Sequence, residues 1–133
     1  MTEVACIGEC MVELRERPGG LLSRGFGGDT LNTAIYLARS GASVDYVSAL
    51  GDDALSDSMI AAWREEGVGV EKVLRVEGAL PGLYLIHTDP FGERRFSYWR
   101  ESAPVRRLFD LPDFEAIAES LGNYRMIYLS GVV

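Results

Sequence analysis

The chain reads as an α/β fold, a mostly parallel sheet flanked by helices with a small β lid. Three observations predict this. Short apolar runs alternate with helical patterns as far as Val76, in the order strand, helix, strand, helix, strand. Two stretches of period-two alternation, each broken by a turn signal, read as hairpins at about residues 11–26 and 82–100. Between the first hairpin and the first helix lies a glycine pair, Gly27-Gly28, at a helix start around which the chain is organised.

The elements follow in order. Residues 4–8 (Val-Ala-Cys-Ile-Gly) are short, apolar and glycine-ended, as in a buried strand. Glu9 follows at its carboxyl end, where open α/β sheets bind ligands; a solvated glutamate is the alternative. Cys6 and Cys10 are placed on this predicted strand, too far apart to bridge without bending it, and both read as core. Residues 11–17 alternate Val12 and Leu14 with Glu13 and Arg15. Pro18-Gly19-Gly20 turns the chain and residues 21–26 return.

Asp29 reads as an N-cap, with Leu31, Ala34, Ile35 and Ala38 at helical spacing and Gly41 as the stop. Residues 44–51 form a second buried strand. Asp52 or Asp53 caps a second helix whose stripe is Leu55, Met59, Ala62 and Trp63, ended by Gly67. Residues 70–76 form a third strand. In the second hairpin, Asp89-Pro90-Phe91-Gly92 is the turn. Tyr84 and Ile86 share a face of one strand; Phe96, Tyr98 and Arg100 share a face of the other. Asp110 and Pro112 open a third helix carrying Phe114, Ile117, Ala118 and Leu121, and residues 126–131 read as one more buried strand. A strand of that kind normally feeds a covering helix, so a larger fold cut short at Val133 is expected.

Composition narrows the function. The 133 residues make one domain or part of one, and 47% hydrophobic content is enough for a core. A net charge of −7 argues against non-specific nucleic-acid binding. No basic leader opens the chain and no run reaches the ~20 apolar residues of a membrane span, so the expectation is a cytoplasmic protein with no membrane partner. Two cysteines and the distant His87 make no zinc site, and no metal ligands are assigned. Residues 94–107 hold Arg94, Arg95, Arg100, Arg106 and Arg107 against Glu101 alone, which suits an acidic ligand or a solvated face. The helix start offers free backbone N–H donors beside Asp29 and Asn32, which suits a ligand rich in hydroxyls. The same residues also suit an ordinary cap.

The pieces together resemble the amino-terminal half of a ribokinase-like carbohydrate kinase of the PfkB family. The glycine pair, Asn32, Ala34, Gly41 and Gly51 match its first signature, and Thr30 departs from it. The stretches 7–11 (Ile-Gly-Glu-Cys-Met), 25–33, 80–84 (Leu-Pro-Gly-Leu-Tyr) and 98–100 (Tyr-Trp-Arg) are similar to the branch acting on 2-keto-3-deoxygluconate. The resemblance implies that both hairpins form a lid and that lids pair in a homodimer. It implies a sugar-acid site at Gly28, Asp29, Thr30, Leu31, Asn32, Tyr84, Tyr98, Trp99 and Arg100, with Glu9 a further candidate. It implies ATP and Mg2+ as co-reactants. The family's catalytic aspartate sits in a Gly-Ala-Gly-Asp stretch that these residues lack, so catalytic and nucleotide-binding residues are expected beyond Val133, and the isolated chain is expected to be inactive. The alternatives are another sugar kinase of the family, for ribose, fructose or a nucleoside, and a non-catalytic binding or dimerisation fragment.

Overall fold

The computed structural model describes residues 2–130. Its strands fall into two four-stranded sheets. The first is built from β1 (Val4–Ile7), β4 (Val44–Gly51), β5 (Val73–Val76) and β8 (Met126–Leu129), in the spatial order β5-β4-β1-β8. All its pairs are parallel. The second is built from β2 (Met11–Arg17), β3 (Leu21–Gly27), β6 (Leu83–Thr88) and β7 (Arg94–Trp99), in the order β3-β2-β6-β7. Each hairpin is antiparallel, and a parallel β2–β6 pairing joins the two into one surface.

The parallel sheet has apolar side chains on both faces, as buried parallel strands require. Val4 and Cys6 of β1 and Tyr46 and Leu50 of β4 face Leu31 and Ile35 of α1 (Asp29–Arg39) and Met59 and Trp63 of α2 (Ala54–Glu65). Ala5, Ile7, Val47 and Ala49 face the other way. There they meet Val105 and Leu108 of a 3-10 segment at Pro104–Asp110, and Phe114 and Ile117 of α3 (Phe114–Ser120). The result is three layers, helix, sheet and helix.

Several expectations change in detail. Asp29 is the first helical residue rather than the cap: Gly28 occupies the N-cap position in an extended conformation. Asp53 does cap α2, its Oδ2 accepting from the amides of Leu55 and Ser56 at 3.1 and 3.2 Å. The third strand begins at Val73, because the Val73 amide turns back to the Val70 carbonyl and only a lone bridge, Gly69 with Asp45, precedes it. Cys10 lies beyond the end of β1 in the approach to β2, and both cysteines are buried and free. The third helix starts at Phe114, not Asp110; residues 104–110 tighten into the 3-10 segment instead. β8 pairs with β1 but is not buried, with Met126, Ile127 and Leu129 all about half exposed or more. Gly131, expected at the end of that strand, lies outside the described residues.

Candidate functional site

The site forms where β1 ends, α1 begins and the second sheet meets the body. Glu9 leaves the carboxyl end of β1 with its side chain only 9% exposed. The chain passes Gly28 so closely that a Cβ there would collide with the Glu9 carbonyl. A Cβ at Gly27 would meet the Tyr84 hydroxyl in the same way. Gly82 is packed between Arg100, Met11 and the Glu9 carboxylate, where an added Cβ would lie 3.0–3.2 Å from each. Three glycines therefore let two backbone segments and the second sheet converge on one place.

Side chains of the second sheet close the arrangement. In the β6–β7 register Tyr84 lies opposite Tyr98, and Ile86 opposite Phe96. Tyr84 is 6.1 Å from the Tyr98 ring and 6.2 Å from Phe96, and Phe96 stacks on Tyr98. The Arg100 guanidinium sits 4.8 Å above the Tyr98 ring. Its Nη1 is 3.5 Å from Glu9 Oε1. A ring of neighbours thus runs from Gly28 through Glu9, Arg100, Tyr98 and Tyr84 back to Gly27. Asp29 and Asn32 stand beside it, exposed, on the first turn of α1. The Asn32 amide bonds back to the Gly28 carbonyl, so the amides of Asp29, Thr30 and Leu31 precede the helical ladder.

Three predicted residues fall outside this ring. Thr30 is buried, its hydroxyl 2.9 Å from that of Tyr46 and its side chain filling the space over Gly8. Leu31 is fully buried in the core beneath α1. These two can offer a ligand only backbone. Trp99 alternates with Tyr98 along β7 and lies opposite Leu83; with Val12, Leu14, Leu83 and Leu85 it lines an apolar groove of about 1130 Å3 that Tyr98 and Arg100 also border. In the other direction, Glu13 joins the site unforeseen: it accepts from the Tyr84 hydroxyl at 2.7 Å. Its alternation against Val12 and Leu14 was visible, but its partner lies 71 residues away. Tyr128 reaches Asp29 from β8 at 3.4 Å, a second long-range tie.

The electrostatics are those of a partly dry, mixed-charge site. Burial pushes the Glu9 carboxyl above its usual range, against the pull of Arg100 and Arg106. Burial and the neighbouring Glu13 carboxylate raise the Tyr84 phenol, which therefore stays protonated as a donor. The arrangement brings together the Arg100 guanidinium, the carboxyl groups of Glu9, Glu13 and Asp29, the Asn32 side-chain amide and the faces of Tyr84, Phe96 and Tyr98.

The model of the pfkB family of carbohydrate kinases matches residues 1–133. A 2-dehydro-3-deoxygluconokinase from Dickeya dadantii (strain 3937) is 48% identical over 97% of this chain, and one from Escherichia coli (strain K12) is 47% identical over 98%. The chain spans 43% of the length of each. Among solved structures, a Xylella fastidiosa fructokinase with bound ATP is 30% identical over 76% of this chain and 31% of its own, with a TM-score of 0.71. A 2-dehydro-3-deoxygluconokinase from Thermotoga maritima, 24% identical, shares the fold over the whole chain and 42% of its own, with a TM-score of 0.82.

Proposed function

This chain belongs to the pfkB family of carbohydrate kinases, and from that premise we propose that it is the sugar-binding, amino-terminal part of a ribokinase-like kinase for 2-keto-3-deoxygluconate. The whole enzyme transfers the γ-phosphoryl group of ATP to a hydroxyl of that sugar acid. The hairpins at 11–26 and 82–100 are its lid, and the ring of residues beneath is the substrate site.

The observation that carries the reading is Arg100, flanked by Glu9 and Tyr98 at the rim of the glycine-bordered helix start. A neutral sugar has no use for a guanidinium there; a carboxylate takes it in a charge-assisted pair. Asp29, Asn32 and the first amides of α1 then take the hydroxyls, and Tyr84 and Tyr98 cover the carbon chain. The names of the relatives at 47–48% identity support the same substrate.

ATP and Mg2+ are the co-reactants this reading requires. Among the described residues no three His, Cys, Asp or Glu side chains are grouped to hold a metal ion, so no step through the metal is assigned to these residues. No helix among the described residues is long and apolar enough to cross a membrane, which accords with a cytoplasmic place for the enzyme. The apolar groove carrying Trp99, with Leu22 exposed at its rim, suits a second lid, so the enzyme is a homodimer through this face.

The test uses the protein containing this chain in full. The keto acid should be phosphorylated in preference to ribose, fructose and nucleosides. Arg100→Ala should raise its KM about tenfold to a hundredfold and leave that of ATP nearly unchanged. Preference for a neutral sugar, or equal effects on both substrates, would overturn the assignment in favour of another kinase of the family.

A further inference from the structure

Arg100 is not an empty receptor. Its nearest carboxylate oxygen, Glu9 Oε1, stands at 3.5 Å, too long for a good hydrogen bond. Glu9 therefore acts on Arg100 as a counter-ion and leaves its N–H donors unspent. The second oxygen, Glu9 Oε2, is buried without a hydrogen-bond partner, against Gly82. Other titratable groups around Glu9 are Arg106 from the 3-10 segment, Cys10 beside it in the chain and Tyr46 from β4. Of these only Arg106 carries charge, since burial pushes both the Cys10 thiol and the Tyr46 phenol upward.

Two opposite charges share a pocket, each incompletely satisfied. An arriving carboxylate that engages Arg100 must come close to Glu9, and like charges in a poorly hydrated site repel. Resting on the sugar-acid reading above, we propose that Glu9 is a positioning and specificity-determining residue. As the resident counter-ion it steadies Arg100 in the empty site and competes with incoming carboxylates for it. A small anion gains too little from Arg100 alone to overcome that competition. A polyhydroxy acid succeeds because the helix start binds its other end at the same time.

Glu9→Gln in the full enzyme tests this. With the competing charge gone, the KM for the keto acid should fall about three- to tenfold. The KM of ATP should stay where it is, and the change should lie in KM rather than kcat. Acetate should become a competitive inhibitor. Loss of packing alone would raise KM, so a fall separates the role from a structural one. Glu9→Asp, which draws the charge back by one methylene, should lower KM by a smaller factor, and carries the test if the glutamine variant does not fold. An unchanged or raised KM overturns the proposal. Wild-type turnover is measured alongside: preference for a neutral sugar removes the function reading and this role with it, whereas acid turnover with an unmoved variant KM removes only the role.

Discussion

Gly27 and Gly28 are neighbours, yet a methyl group costs different things at each. At 28 it meets the Glu9 carbonyl, which is backbone and cannot swing aside. At 27 it meets the Tyr84 hydroxyl, the far end of a side chain with other rotamers. Gly28→Ala should therefore destabilise by about 1–3 kcal/mol and raise the substrate KM. Gly27→Ala should leave the melting temperature nearer wild type and act through a displaced Tyr84. Thermal melts run beside substrate titrations check this, and identical effects at the two sites would refute it. The glycine pair stood out in the sequence because no side chain replaces glycine at such an approach. The fate of Thr30 did not. Whether it meets ligand or core depends on Gly8 and Tyr46, which the fold brings beneath it. Glu13 stayed hidden for the same reason: alternation gives a residue its face but not its neighbour.

At the scale of elements, the start of α2 is held by one carboxylate. Asp53 accepts from two amides and from the Ser56 hydroxyl at 2.6 Å, and Ser56 Oγ in turn receives the Gly51 amide at 3.1 Å. Burial would raise this carboxyl, but the hydrogen bonds from Ser56 and Leu55 outweigh it and hold it below its ordinary value. Asp53→Ala should cost about 1–2 kcal/mol in chemical denaturation at neutral pH. A depressed pKa stabilises above the unfolded value near 4 and loses that contribution as pH falls through the folded one. The wild-type advantage over the variant should therefore shrink below about pH 4. Elements punctuated by glycine or a good cap were legible, as at β4, α1 and α2. The 3-10 segment was not: Val105 and Leu108 recur three apart, which suits its tighter turn, but Asp110 and Pro112 imitate a helix start downstream. β8 has the composition of a buried strand, and its exposure depends on what lies beside it, which composition does not record.

At the scale of the molecule, the second sheet presents two different faces. One carries Tyr84, Tyr98 and Arg100 toward the helix start. The other carries Leu14, Leu83, Leu85 and Trp99 along the apolar groove, with Leu22 55% and Trp99 58% exposed. If that face joins two lids, Leu22→Glu should shift sedimentation of the full enzyme from dimer toward monomer; an unmoved profile would place the interface elsewhere. The two-hairpin pattern was readable in the chain, but the β2–β6 pairing that makes one board of them is a long-range event no local signal announces. The register of the parallel sheet carries a further consequence. Val4 pairs with Val44 on one side and with Met126 on the other. The strand at the heart of the sheet is thus synthesised well before its partners, and about 120 residues must follow it before its second flank is occupied. Throughout that interval a nascent chain carries an open, apolar edge at its centre, a vulnerability to mispairing that is greatest during synthesis.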